Sequence, residues 1–226
     1  MPKKAGIIFV MLGVVLILSA LLLFLYNRWE DHRAGQQAEL LMDEIQIVIA
    51  EKTEHPGKPV TESITKPATK PTEVETEIEE SQEILTAEMP TVMIDGYEYI
   101  GYLSIPDLEL ALPVMAEWDY SRLKIAPCRH LGSFRIDDLV IAGHNYETFF
   151  GSLYKLKSGA EVMFTDMDGI ENRYVLVKDP ETLAPDAVDA VLNSGYDLVL
   201  YTCTPNAEKR VVAFCDRVTE EIDGEE

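Results

Sequence analysis

Residues 198–216 read Leu198-Val199-Leu200-Tyr201-Thr202-Cys203-Thr204-Pro205-Asn206-Ala207-Glu208-Lys209-Arg210-Val211-Val212-Ala213-Phe214-Cys215-Asp216. Two apolar runs flank a short polar segment containing proline and asparagine, the pattern of two strands joined by a turn. Side chains alternate faces along a strand, so the odd separation of Cys203 and Arg210 would place them on opposite faces of one continuous strand. A turn at Pro205-Asn206-Ala207-Glu208 instead makes them neighbours near one end of two adjacent antiparallel strands. On the second strand Arg210, Val212 and Phe214 share one face, and Val211, Ala213 and Cys215 share the other. The alternation therefore separates Cys215 from the Cys203–Arg210 pair.

Similar short runs, bounded by Gly, Pro, Asp and Asn, fill residues 93–218, a length sufficient for one core. Strands are expected at 99–105, 111–114, 139–142, 161–165, 172–178, 198–202 and 210–216. Residues 154–156 read as a short helix or turn. Pro185 suits the first turn of a brief helix reaching Asn193, which Ser194-Gly195 would end. Seven or eight short strands with few helices predict a mostly β fold, a closed or nearly closed barrel rather than a βαβ sheet.

Upstream the character changes twice. Residues 6–26 carry no formal charge and consist mainly of Ile, Val, Leu, Phe and Met. As a helix they would span about 30 Å, the thickness of a bilayer's hydrocarbon core. Residues 1–26 thus read as a basic amino terminus and a retained transmembrane anchor; a cleaved signal peptide would have a shorter core and a small-residue cleavage site. Lys3 and Lys4 before the run, against Arg28 after it, favour a cytoplasmic amino terminus and an extracellular remainder. Residues 27–50 read as a juxtamembrane helix, bent or broken near Gly35, with Leu40, Leu41, Ile45, Val48 and Ile49 as its apolar stripe. It suits a stalk, a self-association face or a cover for the barrel. Residues 51–92 form an acidic Pro/Thr/Glu-rich linker, too poor in apolar surface to fold, whose reach could hold the barrel well away from the bilayer. Residues 219–226 are an acidic tail.

With 19 basic and 40 acidic side chains, the net charge of −21 repels nucleic acid backbones and excludes them as partners. The 3 cysteines make no disulfide framework, and the 4 histidines join them in no compact metal-ligand spacing, so neither metal nor cofactor is expected.

The chemistry resides in Ala142-Gly143-His144-Asn145 together with Cys203 and Arg210. A thiol nucleophile, a proton-transfer group and a fixed positive charge are the parts needed for thiol-based acyl transfer. Singly, each has a plainer reading: a small buried hydrophobe, a loop histidine, a surface arginine. Cys128 and His130, in Pro127-Cys128-Arg129-His130-Leu131-Gly132-Ser133, form a rival pair better suited to a structural or substrate-rim role.

The cysteine segment, Leu198 to Thr204 followed by Arg210, resembles the signature of sortases, the membrane-anchored cysteine transpeptidases of Gram-positive bacteria. Val140-Ile141-Ala142-Gly143-His144-Asn145, then Phe149-Phe150-Gly151 and Leu153, is similar to their histidine segment, and Gly159-Ala160-Glu161-Val162 with Phe164 extends the match. The resemblance implies a sortase β barrel behind a single membrane anchor, with Cys203 as nucleophile, His144 as catalytic histidine and Arg210 as active-site arginine. It implies cleavage of a carboxy-terminal Leu-Pro-x-Thr-Gly-like sorting motif through a thioacyl enzyme and transfer to an amine. The partners implied are surface proteins bearing that motif, a peptidoglycan precursor amine or a pilin lysine, and the bilayer. With thiol and imidazole near their reference values of about 8.5 and 6.5, the thiolate–imidazolium pair is a minor population at neutral pH.

Neither an Asp-Pro-aromatic lid before the barrel nor a second apolar segment after it is found, and Asp179-Pro180 is late and followed by Glu181. The connection 178–195 is short for the larger helix that one sortase class inserts there. These features favour anchoring to peptidoglycan, with pilin polymerisation as the alternative. A membrane-anchored cysteine peptidase and a non-enzymatic membrane receptor are the competing classes.

Overall fold

The computed structural model describes residues 2–54, 88–187 and 189–219. Helix α1 spans Pro2–Glu54. Ten strands follow: β1 Val92–Ile94, β2 Tyr97–Ile105, β3 Leu110–Met115, β4 Cys128–Leu131, β5 Leu139–Ala142, β6 Glu161–Asp166, β7 Glu171–Leu176, β8 Glu181–Leu183, β9 Leu198–Cys203 and β10 Arg210–Arg217. A one-turn helix, α2, occupies Asp189–Leu192.

Eight strands close a ring in the order β2-β3-β4-β5-β9-β10-β7-β6, with β6 pairing back to β2. Closure leaves no free sheet edge on the ring. The remaining two strands, β1 and β8, extend the sheet beside β2 and β10. The expected mostly β barrel is therefore present, with eight strands in its wall. Three short strands were not expected: β1, β4 and β8 are 3 to 4 residues long and carry little alternation of their own.

Period two sorts the wall into two faces. Leu139, Ile141, Leu198, Leu200, Ala213 and Cys215 point into the barrel, where they meet Phe149, Phe150 and Phe164. Val140, Val199, Val212 and Phe214 point outward and are covered by Val191 and Leu192 of α2 and by Tyr196. These strands are buried on both faces, which is why they read as continuous apolar runs. The expected helix from Pro185 to Asn193 shrinks to the single turn of α2, and Gly195, at φ +76, accommodates the reversal after it.

Helix α1 runs unbroken for 53 residues. The side chains from Ile7 to Tyr26 are largely exposed, and this part is long and apolar enough to cross a membrane. Beyond it, Ala34, Ala38, Leu41, Met42 and Ile45 pack against the barrel at helical spacing. Two expectations change here. Gly35 is no break: a Cβ there would lie 2.9 Å from the Thr148 side chain, so the glycine permits close approach of helix and barrel. Leu40, 69% exposed, falls outside the stripe.

The docking also overturns a barrel held at a distance by residues 51–92. Asp31, five residues past Tyr26 and so about 8 Å further along the axis, already contacts the barrel. Residues 51–54 of the expected linker are helical; 55–87, and the acidic tail from 220 onward, lie outside the described residues.

Strand β2 bulges between Tyr99 and Gly101 as it passes from β1 to β6. Gly101 sits at φ +147, and a Cβ there would fall 2.0 Å from the Thr165 carbonyl oxygen. Gly96, in the β1–β2 turn at φ +80, has nothing within 4 Å. Gly101→Ala should therefore cost at least about 3 kcal/mol of stability and Gly96→Ala about 1 kcal/mol. Denaturant unfolding of the two variants checks the difference; equal costs would contradict the bulge geometry.

Candidate active site

Strands β9 and β10 form a hairpin whose register sets Arg210 opposite Cys203. The turn between them is tightly tied. Thr204 N donates to Lys209 O at 2.9 Å, Ala207 N to Thr204 O at 2.7 Å, and the Thr204 hydroxyl to Asn206 Oδ1 at 2.7 Å. Arg210 donates to the carbonyls of Ala207 and Lys209 at 3.3 and 3.1 Å. Among the described residues no carboxylate pairs with it, so its charge remains available to a ligand.

On the other side of β9, strand β5 runs parallel, with Ala142 opposite Tyr201 and Gly143 N donating to Tyr201 O at 3.0 Å. The paired register ends there, and His144 follows two residues later in the loop that leaves β5. Cys203 and Arg210 follow the outward period, Cys203 after Val199 and Tyr201 and Arg210 before Val212 and Phe214. Cys203 and Arg210 thus sit side by side at the ends of β9 and β10, and the loop carrying His144 leaves β5 on the other side of β9.

The loop after β5 is shaped by close packing. A Cβ on Gly143 would lie 2.4 Å from the Phe150 ring, and Phe150 N donates to His144 O at 3.2 Å. The expected short helix or turn is a 3-10 segment, Phe150–Lys155, which buries Phe150 and Leu153. The His144 ring stacks on Tyr146 with centroids 3.9 Å apart and planes 17° apart. Its Nδ1 is buried without a hydrogen-bond partner. Burial, followed by the charge of Lys124, lowers its pKa; Glu30, Asn145 and Asp31 act in the opposite sense. The neutral ring is favoured near pH 7.

Cys203 is half-buried and opens on a groove of about 310 Å³. Arg210 and Cys203 line it at one end; Trp118, Tyr120, His130 and Tyr201 form an aromatic wall, and Pro185, Val191 and Leu192 supply apolar surface. The His130 Nδ1 lies 2.8 Å from the Tyr201 hydroxyl, and Trp118 packs on the imidazole at 5.3 Å. Burial lowers the pKa of His130 as well.

The rival pair does not assemble. Cys128 is fully buried, its thiol donates to Ala126 O at 3.4 Å, and burial pushes it up to about 12. Cys215 is equally buried and likewise pushed up to about 12. All three cysteines are free thiols. His130 belongs instead to the groove that Cys203 opens on.

Tyr201, Trp118, Tyr120 and Tyr146 were not singled out from sequence. Two of them had a signal. Tyr201 precedes Cys203 by two residues and so shares its strand face, and Tyr146 follows His144 at the same interval. Trp118 and Tyr120 sit in the polar stretch after β3, where no periodicity marks them.

A sortase-domain family model matches residues 103–218, just over half of the chain. No curated protein sequence matches. Among solved structures, sortase C1 of Streptococcus agalactiae is 26% identical over 57% of this chain and 72% of its own, with a TM-score of 0.49. A type I crystal structure of the same enzyme covers 64% of this chain and 80% of its own at 21% identity and TM-score 0.50. Sortase E of Streptomyces avermitilis is 25% identical over 54% of this chain and 88% of its own, with a TM-score of 0.46. The barrel, the cysteine at the end of β9 and the matched domain lead to one conclusion: this chain belongs to the sortase family of membrane-anchored cysteine transpeptidases.

Proposed function

We propose that the protein cleaves a Leu-Pro-x-Thr-Gly-like sorting motif and joins the new carboxyl end to an amine through a thioacyl intermediate on Cys203. The observation that supports this most strongly is the hairpin register that sets Arg210 opposite Cys203, with β5, which leads into the His144 loop, paired to the other side of β9. The Cys203 thiolate attacks the scissile carbonyl and forms a C–S bond. The tetrahedral intermediate collapses as the C–N bond breaks, and His144 supplies the proton that leaves with the amine. An incoming amine, deprotonated by His144, then attacks the thioester and releases Cys203. Arg210, unpaired with any described carboxylate, donates to the developing oxyanion or to the motif's backbone carbonyls. The groove, with aromatic walls on one side and apolar surface on the other, suits an extended peptide with a branched apolar residue.

We read the amino terminus as cytoplasmic and the barrel as extracellular, on the charges that flank the apolar run. The acceptor is an amine of a peptidoglycan precursor or a lysine of a pilin subunit. The sequence-based preference for peptidoglycan gains nothing from the fold, and the pilin lysine stands beside it as an equal reading.

Mass spectrometry of the chain incubated with a sorting-peptide library and several amines tests the proposal. It should find an acyl adduct on Cys203, cleavage after threonine, and more product captured by amine than by water. Dominant hydrolysis would identify a cysteine peptidase, and function that survives replacement of both Cys203 and Arg210 would identify a receptor. Capture by a pilin lysine to the exclusion of cell-wall amines would assign polymerisation, and the reverse would assign anchoring. His144→Ala should lower transfer by about 10²–10⁴-fold, and Arg210→Ala by about 10²–10³-fold. His130→Ala should retain a measurable fraction; the reverse ranking of the two histidines would move the active site. Because burial and Lys124 hold His144 below its ordinary value, the acid limb of the kcat/KM profile should have its midpoint below about 6.5. A midpoint above that value would contradict a buried neutral imidazole.

A further inference from the structure

Helix α1 makes two kinds of contact with the barrel. From Ala34 to Ile45 they are apolar, and at the far end a single ion pair joins Lys52 to Asp168 at 2.7 Å. Between Arg28 and Asp31 they are polar, and all of these except one ion pair fall on the loop that carries His144. Asp31, 9% exposed, accepts from the amides of Glu147 and Thr148 at 3.3 and 3.2 Å and from the Thr148 hydroxyl at 2.6 Å. Arg28 meets the Glu147 carboxylate at 2.7 Å. Glu30 faces the Tyr146 hydroxyl and lies 3.4 Å from Lys124 Nζ. Burial first and Glu30 second push that hydroxyl up to about 12, so it remains a proton donor toward the carboxylate. Tyr146 is the ring against which His144 stacks.

An apolar stripe alone would dock a helix. Burying the Asp31 carboxylate carries a desolvation cost, which its three donors offset by holding one loop in one conformation. The order of contacts runs from the membrane-proximal turn to Tyr146 and from Tyr146 to the imidazole. We propose that residues 28–31 of α1 are part of the active site. Asp31 and Glu30 act there as positioning residues that fix the His144 ring through its loop and Tyr146. The proposal rests on the assignment of His144 as the proton-transfer group.

The charged and titratable groups around His144 are Glu30 and Asp31 on α1, Lys124 before β4 and Tyr146 on its own loop. The two carboxylates favour the imidazolium and Lys124 opposes it. Removing the charge of Glu30 therefore moves His144 titration to lower pH.

The test uses the full chain in detergent micelles, with Asp31→Ala, Asp31→Asn, Glu30→Gln, Tyr146→Phe and, as the distant control, Lys52→Ala. Three quantities are read: kcat and KM for amine capture, the His144 titration midpoint from its imidazole proton resonance, and the alkylation rate of Cys203 by iodoacetamide. Asp31→Ala should lower kcat about 10-fold at nearly constant KM, because misplacing a reacting group is felt in the transition state. Asp31→Asn, which keeps an accepting oxygen, should recover part of that loss. Glu30→Gln and Tyr146→Phe should both lower the His144 midpoint, while Lys52→Ala changes none of the three. An Asp31→Ala chain with the parent's circular dichroism and melting, but undiminished kcat and an unmoved His144 midpoint, would overturn the proposal. If Asp31→Ala does not fold, Glu30→Gln and Tyr146→Phe decide by the same midpoint. A parent chain that transfers no acyl group would defeat the proposed function, while the midpoints and the alkylation rates would still decide the coupling of helix to histidine.

Discussion

The parallel pairing of β5 with β9, continued by the β9–β10 hairpin, is the constraint on which the site depends. Neither of its two registers is free to slip. A one-residue shift would turn Leu139, Ile141, Leu198 and Leu200 out of the barrel and drive their neighbours in. The cost of exposing that core fixes where each strand ends. The loop carrying His144, 59 residues before Cys203 in sequence, leaves β5 beside β9 only because the register carries it there, and Arg210 arrives opposite Cys203 through a six-residue turn tied by its own backbone. Chemistry at the rim is thus set by packing in the interior.

The same two-sided burial explains the site's electrostatics. The outward face of these strands is covered by α2 and by aromatic side chains rather than by water, so the groove is partly desolvated. In such surroundings burial favours the neutral forms of His144 and His130. It also strengthens any interaction Arg210 makes with a developing negative charge, because less solvent screens it. Cys128 and Cys215 show the contrary case: sealed in the core, where burial outweighs even the charge of Arg122 near Cys128, they are held as inert thiols.

Most of the barrel was legible because its long strands alternate or run apolar. The seven expected strands all appear within two residues of their expected ends. The strands β1, β4 and β8 were not legible, being too short to carry a period and defined by partners distant in sequence. The Cys203–Arg210 neighbourhood could be read from parity and a turn. The placement of His144 could not, since a parallel pairing leaves no local mark. Gly35 misled in an instructive way: a helical glycine reads as a weak point, yet here its missing side chain makes room for Thr148. The docking of α1 was one of three open readings from its apolar stripe, and the polar clamp of Asp31 had no sequence signal at all.

That docking brings membrane and chemistry together. Asp31, about 8 Å along the helix from the end of the apolar run, ties the helix that is apolar enough to cross a membrane to the loop that carries His144. The central claim, that the ends of β9 and β10 and the loop leaving β5 unite imidazole, sulfur and guanidinium, is tested most directly by an experimental structure of the full chain carrying a sorting peptide as an adduct on Cys203. The account predicts the His144 ring and the Arg210 guanidinium both within about 3.5 Å of the adduct's reacting atoms. An adduct whose carbonyl is met by neither group, with His144 still turned into its own loop, would contradict it.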